Sequence, residues 1–154
     1  MSGPATPKIM KAATWPRTLR VLGQVVLGAV LLVAGIGHLT NQREEFQAQV
    51  PSWFPVDADV VVLASGVIEL ALGAVLLATW KQPKRALVGG AVAAFFVAVF
   101  PGNIGQFTGQ VDAFGLDTDT KRAVRLVFQP VLVAWALVAT DAIHVYKDRR
   151  ARHI

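Results

Sequence analysis

The chain has 154 residues, of which 54% are hydrophobic and only 16% are charged, with a formal net charge of +5. A typical soluble domain has about 25% charged residues, so this composition indicates a membrane protein, and the basic residues lie at the ends of apolar runs rather than on a nucleic-acid-binding face. The absence of cysteine excludes disulfides, Cys-ligated zinc or iron–sulfur clusters and covalent c-type haem.

Four stretches are long and apolar enough to cross a bilayer core of about 30 Å, which takes roughly 20 residues in a helix. They are residues 21–39, 60–80, 86–106 and 123–145. Open strands would leave backbone groups unpaired in lipid, so helices are expected. The first stretch is expected to be a retained helix, because no A-x-A-like signal-peptide cleavage site follows it. We therefore predict an all-α fold, a four-transmembrane-helix bundle over residues 21–146, between a basic segment (1–20) and a basic tail (147–154).

The basic residues predict how the bundle is oriented. Eleven of the 15 Lys and Arg residues fall on one side: Lys8, Lys11, Arg17, Arg20, Lys81, Lys84, Arg85, Lys147, Arg149, Arg150 and Arg152. The positive-inside rule then places both termini in the cytoplasm of a bacterial-type cytoplasmic membrane. On the other side, residues 43–50 are expected to form a short amphipathic turn, and PSWFP (residues 51–55) is expected to be an interfacial aromatic anchor.

Glycines mark the faces on which the helices are expected to meet. Helices in lipid associate through small residues and polar contacts, because lipid tails are as apolar as leucine. Gly28 and Gly35 share one face of the first helix, and Gly66 and Gly73 share one face of the second. With Gly90 on the third helix, these glycines are the predicted packing positions.

Six polar residues fall in the half of the bundle predicted to be outer: His38, Glu69, Asn103, Gln106, Arg125 and Gln129. Glu69 lies nine residues after Val60, roughly 13 Å below the surface. A lone carboxylate in lipid is costly, so we expect it to face a polar cavity shared by the helices. Two roles stay open for the set: fixing helix register through hydrogen bonds, or binding a ligand and handling protons. No catalytic residue and no metal site is identified.

Several motifs, in order, resemble the DoxX-like family of small four-helix membrane proteins. They are GIGH at 35–38, PSWFP at 51–55, SGVIELALGAVLL at 65–77, KQPKR at 81–85, AVFPGNI at 98–104 and RLVFQPVLVAWAL at 125–137. The resemblance covers residues 20–140 and implies a bundle with both termini inside. It also implies a link to membrane redox systems, since the family takes its name from a subunit of a thiosulfate:quinone or terminal oxidase system. Residues 110–121 are the least typical part.

The sequence leaves three functions open. The first is an accessory subunit of a quinone- or sulfur-linked oxidoreductase system, with an outward-facing polar pocket, a quinone as the candidate ligand and no intrinsic cofactor. The second is a transporter or binding protein for a small solute, a lipid or protons. The third is a scaffold for a membrane complex. The expected partners are the lipid bilayer, an oxidoreductase subunit and further copies of this chain, and no nucleic acid.

Overall fold

A computed structural model describes residues 15–152, which form six helices and no strand. The helices are α1 (Arg17–Leu39), α2 (Arg43–Gln47), α3 (Ala58–Ala78), α4 (Lys84–Thr108), α5 (Asp119–Ala139) and α6 (Ala142–Ala151). Helices α1, α3, α4 and α5 are each long and apolar enough to span a membrane. This confirms the predicted all-α fold with four candidate spans. Residues 1–14 of the predicted basic segment and 153–154 of the tail lie outside the described residues.

Each long helix runs antiparallel to the next one in the chain. The two ends of the bundle are called the α2 end and the α6 end, after the short helix at each. The α2 end holds the start of α3, where the Asp57 side chain accepts hydrogen bonds from the backbone N–H groups of Asp59 and Val60 at 2.9 and 3.3 Å. It also holds the start of α5, where Thr118 accepts from the Lys121 N–H at 3.3 Å. These side chains satisfy N–H groups that have no partner within the helix.

The predicted fourth helix, residues 123–145, is divided into two in the structure. Helix α5 ends at Ala139, and Asp141 takes a left-handed conformation with φ 60° before α6 begins. The Thr140 hydroxyl donates to the Ala136 carbonyl at 2.7 Å, so it satisfies one of the last carbonyls of α5. Because a left-handed residue cannot continue a right-handed helix, the chain turns here.

Helices α1 and α3 approach each other through the predicted glycines. A Cβ atom added to Gly35 would lie 2.8 Å from the Gly66 carbonyl oxygen, and one added to Gly66 would lie 2.7 Å from His38 Cβ. Gly73 approaches the backbone of Gly28 in the same way, with 2.9 Å from its added Cβ to the Gly28 carbonyl oxygen. The two backbones are therefore closer than any side chain at these positions allows.

Helices α4 and α5 form the second pair, and an apolar core lies between the two pairs. Leu27, Leu31, Leu76, Val92 and Ala136 are almost fully buried in it. Large apolar side chains also cover the outside of the bundle, among them Val33 at 70% and Val127 at 67% exposure. A surface of this kind suits contact with lipid, as expected for a membrane-spanning bundle.

A buried polar cluster holds the helices together near the α6 end. Arg85, 7% exposed, donates to Gln24 Oε1 at 2.5 Å and to the Ala139 carbonyl at 2.6 Å. Gln24 in turn donates from Nε2 to the carbonyls of Leu76 and Thr79, at 2.7 and 2.9 Å. The carbonyls at the C-terminal ends of α3 and α5 thus receive donors from other helices, so the cluster caps both ends.

We expect Gly35→Ala and Gly66→Ala to lower the melting temperature in detergent, followed by circular dichroism. An extra methyl group in a close-packed interface costs about 1–3 kcal/mol, more than the roughly 1 kcal/mol that alanine adds to helix stability. Gly90→Ala is the matched control, because an added Cβ there would meet only the hydroxyl end of the Tyr146 side chain. It should be neutral or stabilising. Equal melting temperatures for all three variants would contradict this packing.

Candidate functional site

The main cavity of the bundle has a volume of about 560 Å³ and lies in the half nearer the α2 end. All four long helices line it, and α2 and the PSWFP segment cover its top. Five of the six polar residues singled out in the sequence are on its wall: His38, Glu69, Asn103, Arg125 and Gln129. Gln106 is not among the lining residues. A smaller cavity of about 160 Å³ at the α6 end is lined by Arg20, Asp141 and His144, which pair with one another.

The carboxylate of Glu69 is buried against the imidazole of His38. Helix α3 contributes Glu69 and α1 contributes His38, and both side chains are about nine-tenths buried. Glu69 Oε2 lies 2.9 Å from His38 Nδ1, but the same nitrogen is 2.9 Å from the Ala34 carbonyl and only that contact has hydrogen-bond geometry. Glu69 Oε2 is therefore buried without a hydrogen-bond partner among the described residues. Such an atom is costly unless something donates to it.

Aromatic rings connect His38 to the opposite wall of the cavity. The Phe46 ring of α2 is stacked on the imidazole, with 3.4 Å between ring centroids and 16° between ring planes. The Phe114 ring meets Phe46 edge-on at 4.6 Å, and the Arg125 guanidinium lies over Phe114 at 5.4 Å. A guanidinium within about 6 Å of a ring centroid is attracted by the ring face. The stack thus fixes the orientation of both the histidine and the arginine.

The Arg125 guanidinium projects from α5 and is held by neutral amide groups. Its Nε donates to Asn103 Oδ1 and its Nη2 to Gln49 Oε1, both at 3.1 Å. Asn103 donates onward from Nδ2 to Gln129 Oε1 at 2.9 Å, and Gln129 Nε2 donates to the Phe96 carbonyl at 2.7 Å. Among residues 15–152, no carboxylate forms an ion pair with Arg125. Its positive charge is positioned but not neutralised by a direct contact.

Gln106 has a structural position beside the cavity, not on its wall. It is 1% exposed, accepts from Gln49 Nε2 at 3.2 Å and lies 3.4 Å from the carbonyls of Val111 and Ala113. Like Asn103, three residues earlier on α4, Gln106 is buried. The loop after α4 folds back over Gln106, however, and takes up its amide group.

Two anchors hold the cover of the cavity in place. Arg43 of α2 donates from Nε to Asp59 Oδ1 at 2.5 Å, and Gln47 donates to the same oxygen at 2.5 Å. The hydrogen bond to Asp59 also raises the pKa of the Arg43 guanidinium. On the other side, the Phe114 backbone N–H donates to Glu45 Oε2 at 2.6 Å. The predicted amphipathic turn is therefore a short helix, with Phe46 directed into the bundle.

Arg122 fixes the loop of residues 109–118, which carries Phe114. Arg122 is 6% exposed and forms ion pairs with Asp112 and with Asp119, the latter at 2.9 Å. In the sequence Arg122 is one of several charged residues of the loop, and no local pattern distinguishes it from Lys121.

The sequence analysis did not identify Phe46, Gln49 and Phe114 as cavity residues. The aromatic residues of PSWFP, predicted as an interfacial anchor, line the cavity as well.

A family model described as a domain of unknown function (DUF8561) matches residues 27–140. The chain belongs to the DUF8561 family. The matched range contains all five polar residues of the cavity wall and ends at Thr140, before α6. No curated protein and no solved structure matches the chain.

The cavity of this DUF8561 member combines three chemical properties. One wall presents a fixed cation, the opposite wall presents a carboxylate beside an imidazole, and most of the remaining lining is apolar. The cation can donate to an oxygen atom of a ligand. The carboxylate can accept a hydrogen bond or a proton, and each ring nitrogen of the imidazole can take part in a hydrogen bond. No group of three metal-ligating side chains was found within residues 15–152.

We expect Asn103→Leu to lower the melting temperature in detergent more than Thr108→Val does. The leucine would leave Gln129 Oε1 and Arg125 Nε without their present partner, and an unsatisfied buried polar group costs about 1–3 kcal/mol. Thr108, five residues further along α4, is exposed and bonds only to carbonyls of its own helix. An unchanged melting temperature in Asn103→Leu would show that the amide chain does not tie α4 to α5.

Proposed function

We propose that this protein is a DoxX-like quinone-binding accessory subunit of a membrane redox system, with its site in the main cavity. The proposal rests on two unpaired groups that line the same cavity. Glu69 has a carboxylate oxygen without a hydrogen-bond partner, and the Arg125 cation has no ion-pair partner, among the described residues. A quinone headgroup has oxygen atoms on opposite sides of a flat ring. One oxygen would accept from Arg125, and the opposite hydroxyl of a quinol would donate to Glu69.

The shape and lining of the cavity support a ligand of this size and polarity. Pockets for small organic ligands enclose about 300–1,000 Å³ and are mainly apolar, with a few polar groups that fix orientation. The volume of about 560 Å³ falls within that range. The flat rings of Phe46 and Phe114, already stacked with the polar groups, offer aromatic contact for a planar headgroup.

Glu69 and His38 would handle the protons that accompany quinone chemistry. The Glu69 carboxylate would accept the proton that a quinol releases, and the imidazole lies beside it, with Nδ1 2.9 Å from Glu69 Oε2 and hydrogen-bonded to the Ala34 carbonyl. The resemblance to DoxX-like proteins, carried by the order and spacing of six motifs, supports a partner subunit that exchanges the electrons. This chain would then bind and orient the headgroup.

The distribution of basic residues supports an orientation with the α2 end outside a bacterial-type cytoplasmic membrane and both termini in the cytoplasm. We expect an impermeant maleimide added to intact cells to label Ser52→Cys but not Ala151→Cys, each the sole cysteine of its variant. Both residues are exposed, at opposite ends of the bundle. Permeabilised cells, in which both should react, are the control. Labelling of Ala151→Cys alone would reverse the orientation.

Titration with decylubiquinone and its quinol in lipid nanodiscs tests the ligand. We expect Glu69→Gln to weaken quinol binding about tenfold with little change for the quinone, because a hydrogen bond to a charged acceptor contributes about 1.4 kcal/mol more than a neutral one. Arg125→Gln should weaken both forms. Arg149→Gln is the matched control, since Arg149 is an exposed arginine of α6.

Two results would reject the quinone proposal. One is that the unmodified protein neither retains quinone after gentle extraction, measured by mass spectrometry, nor binds the added compound. The other is that Glu69→Gln and Arg125→Gln fold and bind both forms as tightly as the unmodified protein does.

A further inference from the structure

The lining of the main cavity is divided into a polar part and an apolar part. Arg125, Asn103 and Gln129 lie on α4 and α5, and His38 faces Glu69 on the other helix pair. The rest of the wall between α3 and α4 is apolar apart from Ser65. On α3 it comprises Val61, Val62, Ser65 and Ile68, and on α4 it includes Phe95, Ala98 and Val99.

Between α3 and α4 the cavity reaches the surface of the bundle. Ile68 is 45% exposed, Ala98 is exposed and Ser65 is half-buried, although all three also line the cavity. These three residues border a gap between α3 and α4. Val30 of α1 and Trp53 and Phe54 of the cover also line the cavity and are partly exposed, at 48%, 69% and 41%.

Helices α1 and α3 are closely joined through glycines, and α4 and α5 through the Asn103–Gln129 amides. Helices α1 and α5 are joined near the α6 end, where Trp135 Nε1 donates to the Gly23 carbonyl at 3.0 Å.

At the α2 end of the bundle, helix α2 and the loops cover the cavity. Arg43 of α2 is hydrogen-bonded to Asp59, and the loop of residues 109–118 is held by contacts with Arg122 and Glu45. The segment after α2 also presses on α4, where a Cβ added to Gly105 would lie 3.0 Å from Pro51 Cγ. A ligand arriving along the bundle axis would have to break these contacts, whereas one arriving between α3 and α4 would not.

The opening lies at the depth of acyl chains. Ser65 is seven residues from the start of α3, which is about 10 Å along the helix, and Ala98 is ten residues from the end of α4, about 15 Å. Both values fall within one leaflet of a hydrocarbon core about 30 Å thick. The exposed side chains around the opening are apolar.

We propose that the gap between α3 and α4 is a lateral portal through which the cavity takes its ligand from the surrounding leaflet, and that the ligand is an amphiphile with a long apolar tail. The headgroup reaches Arg125 and Glu69, while the tail stays between Ser65 and Ile68 on one side and Ala98 on the other. This inference rests on the proposed function only in that a ligand occupies this cavity. It adds that the tail contributes to binding, because a ligand that has only the headgroup makes no contact with the portal residues.

Quenching by brominated lipid tests the portal without reference to any quinone. The chain has no cysteine, so Ala34→Cys, on the cavity wall of α1, can be labelled alone with bimane. In nanodiscs of dibrominated phosphatidylcholine we expect strong quenching at this position. Ala98→Phe, which fills the portal, should reduce it. The matched control Val97→Phe changes the adjacent side chain, which is 58% exposed and does not line the cavity, and should leave the quenching unchanged.

Val33→Cys reports on lipid outside the cavity, because Val33 is 70% exposed. Its bimane should be quenched equally with and without Ala98→Phe, which shows that the plug leaves the bundle folded in the membrane. Absence of quenching at Ala34→Cys, or quenching that Ala98→Phe does not reduce, would overturn the portal.

A second measurement separates the portal from the quinone proposal. Ala98→Phe should weaken decylubiquinone binding about tenfold, the loss expected if roughly two methylene groups of the tail lose their burial. Binding of the tail-less benzoquinone with the same headgroup should be unchanged. If the unmodified protein binds neither compound, the quinone assignment fails, and the quenching result still decides the portal.

Discussion

The contact between α1 and α3 at Gly35 and Gly66 determines how His38 and Glu69 lie against each other. Because neither residue has a side chain, the two helices approach until an added Cβ on Gly66 would be 2.7 Å from His38 Cβ. That approach brings the imidazole of one helix to the carboxylate of the other. A wider spacing would let His38 and Glu69 face lipid or water separately, and neither would be held beside the other.

Two groups of buried polar side chains cross the apolar bundle, one near the α6 end and one around the main cavity. Near the α6 end, Arg85 and Gln24 donate to the carbonyls that end α3 and α5, which is a structural role. Around the main cavity, a carboxylate oxygen of Glu69 has no donor among the described residues. Low-dielectric surroundings make such a group expensive. The unpaired oxygen of Glu69 is therefore a reason to expect a ligand in the main cavity.

The sequence was enough to predict most of the fold, because hydrophobic length and the need to pair backbone groups in lipid leave few alternatives. The cost of a lone carboxylate in lipid also led to the expectation that Glu69 faces a polar cavity, and Glu69 lines the main cavity in the structure. The sequence could not predict contacts made by loops. Gln106 is taken up by carbonyls of the following loop, and Phe46 and Phe114 reach the cavity only because distant segments fold over it. The end of α5 was missed because Asp141 adopts its left-handed conformation in a stretch whose hydrophobicity continues.

Helices α4 and α5 each contain a proline close to the amide side chains that join them. A proline inside a helix removes a backbone donor and bends the helix away from its own preceding turn. Pro101 lies two residues before Asn103, and Pro130 directly follows Gln129, so both prolines lie where the amide side chains join the two helices. The Phe96 carbonyl, which accepts from Gln129, lies in the turn before Pro101. The amides therefore hold α4 against α5 at the level of the two prolines, and Asn103, Gln129 and Pro101 all line the main cavity there.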